Sequence, residues 1–436
     1  MIYTEGMPKT VKLRSGLRLL TIPQRNTKTV TVLVLVGTGS KYEEKRTNGV
    51  SHFLEHMFFK GTKKRPTYLE IAGPIENVGG MFNAFTSQDL TGYFIKVDAT
   101  HLDLALDMVA DIYLNSQLPS KEIQKEKGVV IEEINMRKDT PMIRVRDLWE
   151  QFLYGEQPAG WDVAGTKETV SGLSRHDVVS YVKSQYVARN TVVCVAGSMK
   201  EQKTVERVRR LFSKISTKDF KRKIQVKESQ RSPRVLLEYR ATDQTHIALG
   251  ARGYNLSSKD RFAQDIIAAI LGGGMSSRLF SEIREKLGLA YYISSSSESN
   301  PDTGFLVTFA GVKNENVEKA LRVIMREQKL LVLRKVAAKE LRNAKDRLKG
   351  QTALSLESSD SKAEFYGVQE ILENHFFTPE QLYDRIEKVR ASDIQRVAKA
   401  MFAPQNLNLV VLGPFPAKGG SAPGGKTKNR FLKILR

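Results

Sequence analysis

The chain contains a single cysteine, Cys194, among 436 residues. No disulfide can form within it, and a reducing compartment suits such a composition. Cys194 lies in "NTVVCVAG", a buried-strand pattern, and reads as a small core residue rather than a nucleophile. No apolar run approaches the 18 or so residues that a membrane-crossing helix needs. The opening "MIYTEGMPKTVKLRSGLRLLTIP" lacks the charged-then-apolar layout of a secretory signal, so a cytoplasmic location is expected. Acidic residues are also scarce: 48 against 69 lysines and arginines, a net charge of +21. That balance can mark a nucleic-acid or anionic-membrane partner. The basic residues are nevertheless spread along the chain, with no aromatic-basic motif and no finger cysteines. They read as a solvated surface, and no specific nucleic-acid partner is expected.

What is present is a duplication. "TGYFIKVDATHLDLALDMV" starts at Thr91 and "TGFLVTFAGVKNENVEKALRVI" at Thr303, 212 residues later. "HDVVSYVKSQYVARNTVVCVAG" ends at Gly197 and "SDIQRVAKAMFAPQNLNLVVLG" at Gly413, an offset of 216. "TVTVLVLVGTG" and "QTHIALGARG" align Gly39 with Gly253. The first pair reads as strand then amphipathic helix, the second as helix then buried strand. The expected fold is α+β: two homologous domains, each a mostly antiparallel sheet packed with helices. The expected boundaries are 1–215, a basic linker 216–232, 233–415, and a flexible basic tail 416–436.

Histidine occurs only 6 times, yet "VSHFLEHMFFKGT" (residues 50–62) spends two of them on an apolar segment. In a helix His52 and His56 share one face, with Glu55 at their flank. Thr47 or Asn48 would cap it, and Gly61 would follow its last turn. Two imidazoles on adjacent turns can bind one divalent metal, and a neighbouring carboxylate can take a proton from a water there. A third ligand must come from elsewhere. A helix from Ser120 to just before Pro141 carries Glu122, Glu126 and Glu133 along one side, with Glu132 turned away.

Together "GVSHFLEHMFFKGT", "GGMFNAFTSQD" and "EKGVVIEEINMRKDTP" resemble the pitrilysin/insulinase zinc metallopeptidases, in the two-domain branch of the mitochondrial processing peptidase. The resemblance covers nearly the whole chain. It implies that fold, one Zn2+ per chain held by His52, His56 and Glu133, and Glu55 as general base. Glu126 would stand behind the metal ligands. It also implies a free edge strand at Asn83, Ala84 and Phe85 that binds extended peptide, and an Arg284–Tyr291 segment that reaches the substrate. The implied activity is endopeptidase cleavage of unfolded or presequence-like peptides, in a homodimer or a heterodimer with a related chain. The aligned segment of the second half, "FAQDIIAAILGGG", has no metal motif, so only the first half should hold metal. A non-catalytic peptide-binding subunit, or a basic nucleic-acid or membrane-surface binder, are the rival classes. The helix announced by Thr67-x-x-Glu70 contains Pro74, where a kink or break is expected.

Overall fold

The computed structural model describes residues 7–415 and 424–436. Its first six strands are β1 (Lys9–Lys12), β2 (Arg18–Pro23), β3 (Thr29–Val36), β4 (Met81–Thr86), β5 (Thr91–Asp98) and β6 (Thr191–Gly197). They form one sheet in the order β1-β2-β6-β3-β5-β4. The second sheet contains β7 (Arg234–Tyr239), β8 (Gln244–Arg252), β9 (Ala290–Ser299), β10 (Gly304–Lys313) and β11 (Leu407–Gly413). Its order is β7-β11-β8-β10-β9, which repeats β2-β6-β3-β5-β4 of the first. Each sheet is antiparallel except for one parallel pair, β2–β6 and β7–β11. The sequence duplication is a duplication of topology.

Two compact units result. The first comprises Met1–Asn135, Trp161–Ile224 and Ala353–Thr378; the second comprises Met136–Gly160, Gln225–Thr352 and Pro379–Arg436. They are not the contiguous halves 1–215 and 233–415, because each half of the sequence lends a helix to the other unit. The reason lies in the sheets. β3 reads "TVTVLVLV": Val30, Val32, Val34 and Val36 enter one core, while Leu33 and Leu35 enter another. A strand apolar on both faces needs cover on both. Helix Ser359–Glu373 supplies the second cover through Ala363, Tyr366 and Ile371. In the second unit the helix Pro141–Tyr154 plays that part, with Trp149 fully buried against Phe305.

Helix α1 (Val50–Met57) lies on β4 and β5 of the first sheet. α2 (Tyr68–Glu76) opens with the expected Thr67/Glu70 capping box but is not broken at Pro74. Gly73, lacking Cβ, avoids the usual clash with the proline ring. The last turn still closes through the Asn77 N–H donating to the Gly73 carbonyl at 2.9 Å. Helix Leu102–Asn115 (α3) precedes Ser120–Asp139 (α4), whose Ile123, Val130 and Ile134 anchor it in the core.

The expectation of a flexible end at 416–436 also needs correction. Residues 416–423 lie outside the described residues, but Gly424–Leu435 is a helix. Phe431 and Leu435, four apart, fall on one face and are buried in the second unit's core, with Phe431 edge-on to Phe415. Phe431→Ala should cost about 3 kcal/mol. It would appear as an earlier urea transition, whereas Lys433→Ala, at an exposed position, should move stability by less than about 0.5 kcal/mol.

Candidate metal centre

α1 begins at Gly49, whose φ of 96° places it in the left-handed region. A Cβ there would also lie 2.6 Å from the Ala164 carbonyl oxygen, so glycine is required twice over. The N-terminal N–H groups are not capped by Thr47 or Asn48. Glu43 does this from outside the helix: its carboxylate accepts from Gly49 N–H at 2.7 Å and Ser51 N–H at 2.8 Å. Asn48 donates to the same carboxylate at 2.9 Å. A buried anion at a helix N-terminus offsets its desolvation against those donors and the helix dipole. Ser51 is tied further to the Tyr181 hydroxyl at 2.7 Å.

So fixed, α1 turns His52 and His56 toward α4. Nε2 of each ring lies 3.5 Å from the same Glu133 oxygen, Oε2. Tetrahedral zinc with bonds of about 2.0–2.1 Å separates its ligand atoms by roughly 3.3–3.4 Å, so these spacings match a shared cation. One ligand atom from each of His52, His56 and Glu133 falls within 4.8 Å of the others, the only such group of three among the described residues. The donor set, two imidazoles and a carboxylate, fits zinc and leaves a fourth position for substrate or water.

Behind this trio Glu126 is buried at 2% exposure. Its Oε1 accepts from His56 Nδ1 at 3.0 Å, and its Oε2 pairs with Lys60 Nζ at 2.7 Å. The first contact places the proton on Nδ1 and leaves the Nε2 lone pair for a metal. Burial opposes charge on His56, yet the Glu126 and Glu133 carboxylates outweigh it and raise the imidazole to about 9. The two histidines hold the Glu133 carboxyl well below the usual carboxylate range. Protons and a cation therefore compete for this site.

Glu55, half-buried on the same helix, sits over buried phenols. Burial, then Tyr186, then the Glu55 carboxylate keep Tyr93 protonated far above its ordinary pKa. Glu122 and Glu132 stay outside the trio. β4 is an edge strand beside α1, so Asn83, Ala84 and Phe85 do lie on a sheet edge. Their side chains diverge: Ala84 faces the α1 core, whereas the Phe85 ring packs on the other face, over Gly92. Arg284 and Tyr291 belong to the second unit. Arg284 is exposed on a π-helical turn, Phe280–Lys286, with its guanidinium 4.9 Å from the Phe280 ring centre. Tyr291 is 76% exposed on edge strand β9.

Comparisons with known proteins bear on the family. The family described as insulinase (peptidase family M16) matches residues 18–167, and the peptidase M16 inactive domain matches 172–348. A Bacillus subtilis protein named uncharacterized zinc protease YmxG is 32% identical over 408 residues, covering 94% of this chain and 98% of that one. The chain belongs to peptidase family M16. An uncharacterized zinc protease of Mycobacterium leprae shares 34% identity over 426 residues, 97% of this M16 chain and 94% of its own. The crystal structure of a protease from Helicobacter pylori superposes with a TM-score of 0.88 at 27% identity, over 94% of this chain and all (100%) of that one. Among the described residues no helix is long and apolar enough to cross a membrane.

Two residues of this M16 centre escape a reading of the sequence. Glu43 precedes the helix it caps by several residues, and Lys60 meets Glu126 across a separation of 66 positions (126 − 60). Lys60→Met should leave Glu126 buried without its cation and weaken zinc binding by about 10-fold or more, as changes behind a ligand do. Lys60→Arg should recover most of it. Competition with a chromophoric chelator reads both; unchanged affinity in Lys60→Met would show that Lys60 has no hold on the centre.

Proposed function

We propose that the chain is a zinc endopeptidase that hydrolyses unfolded or presequence-like peptides in the cytoplasm. It would work as a homodimer or paired with a related chain. The reading is carried by one observation: two imidazole Nε2 atoms converge on one Glu133 oxygen at 3.5 Å. His52, His56 and Glu133 would hold the ion, one per chain, since the aligned helix Arg261–Gly272 of the second unit carries no histidine. Bound zinc would polarise the scissile carbonyl and acidify a water at the fourth position.

Glu55, one position before His56, takes the water proton and returns it to the leaving amine. Glu126 keeps His56 in the ligating tautomer. An extended peptide adds to the edge of β4 at Asn83, Ala84 and Phe85 through backbone hydrogen bonds, so the site reads peptide shape more than sequence. The Ala84 N–H is covered by its neighbour's Asn83 Oδ1 at 2.9 Å. Arg284 would anchor a substrate carbonyl, and the Tyr291 phenol would steady the developing oxyanion.

Glu55→Gln keeps shape and hydrogen bonding while removing the base. It should retain one zinc per chain and lower turnover of a quenched peptide by about 100-fold or more. Normal cleavage by this variant would remove Glu55 from the mechanism. The dimer is tested by mixing Glu55→Gln chains with Arg284→Ala chains after subunit exchange. Regained turnover is expected if Arg284 serves the partner's centre; none, despite demonstrated exchange, would mean that each chain completes its own.

A further inference from the structure

The second unit holds a cavity of about 460 Å3 whose charged lining residues, Lys227, Arg231, Arg234 and Arg252, are all cations. Such a volume lies in the range of small-molecule sites. Arg252 is already engaged. Its Nη1 donates to Gln230 Oε1 at 2.6 Å, its Nη2 donates to the Leu153 carbonyl, and its Nε stands 3.5 Å from Glu228 Oε1. Glu228, with Asp302 near it, thus answers Arg252.

Arg234 is different. It is half-buried, with its guanidinium carbon over the Phe152 ring, 4.3 Å from the centroid. Among the described residues that guanidinium has no hydrogen bond and no ion pair. Its charged neighbour is another cation: burial and then Arg252 lower its pKa. Lys227 and Arg231, both exposed, bring two further charges that also lack an ion pair among the described residues. A partly desolvated guanidinium over an aromatic ring and beside like charges favours an anion as its partner. Ser229 and Ser232 add hydroxyl donors to the same wall.

We propose that this cavity binds a small polyanion bearing phosphate groups, with Arg234 as the planar anchor and Lys227 and Arg231 closing around the remaining charge. Bidentate recognition of phosphate oxygens is what a fixed guanidinium does best. One orthophosphate would leave most of the volume empty, so a chain of phosphates or a phosphate ester suits it better.

The test is titration calorimetry on the full chain at about 0.15 M salt, where diffuse binding to a +21 surface is screened. Tripolyphosphate, ATP and orthophosphate are the probes. Tripolyphosphate should bind one per chain, and orthophosphate more weakly. ATP matching tripolyphosphate would assign recognition to the phosphates alone; tighter ATP would assign part of it to the ester group. Arg234→Met should weaken binding about 10-fold or more, and Lys227→Met, at an exposed position that cannot threaten the fold, should weaken it several-fold. The control Lys214→Met/Lys218→Met removes two exposed charges elsewhere and should change nothing. Absence of binding, or equal weakening in control and cavity variants, would overturn the proposal.

Discussion

An isolated helix of eight residues is not stable in water, because nucleation costs more than so few hydrogen bonds return. α1 is eight residues long, and it carries both histidines and Glu55. Its geometry is therefore imposed from outside. Val50, Phe53, Leu54 and Met57 are fully buried beneath it, and the Glu43 carboxylate holds its first N–H groups. Burial pushes the Glu43 carboxyl above its ordinary value, while the Ser51 and Gly49 N–H groups and Asn48 work against that rise. The charge and the helix start stabilise each other. Everything the metal trio does depends on that clasp.

The duplication gives the chain two sheets of one topology but, among the described residues, only one cluster of three metal-ligating side chains. In the second unit the helix Arg261–Gly272 presents Ile266, Ile267, Ile270 and Leu271 to the core, and its aligned face is plain packing. The first unit places two histidines on a helix of the same kind and compensates with Glu126 and Lys60, paired at 2.7 Å. A buried carboxylate shared between an imidazole and an ammonium is tolerable only as a set, since removing one partner leaves charge uncompensated.

The centre was legible in the sequence because its elements are local and periodic. His52 and His56 share a face by helical spacing, and α4 lines Glu126 and Glu133 seven apart, two turns on the same side. The topological repeat was legible for the same reason. What escaped was long-range. Amphipathic spacing tells that Pro141–Tyr154 buries a face but not which sheet receives it, so the helix exchange could not be seen. Glu43 caps across an intervening turn, and Gly49 replaced the expected Thr47 or Asn48. Pro74 beside Gly73 reads as a kink or a break, yet the helix runs through it, because a glycine before the proline has no Cβ for the ring to meet. The terminal helix was obscured by the glycine-rich segment before it, although Phe431 and Leu435 already stood four apart.

The central claim is that His52, His56 and Glu133 bind one zinc ion. Diffraction collected on both sides of the zinc absorption edge, from crystals of the purified chain, tests it most directly. The account predicts one anomalous peak per chain, about 2.0–2.2 Å from Nε2 of His52, Nε2 of His56 and a Glu133 oxygen. A peak ligated by other residues, or none in zinc-replete protein, would contradict it.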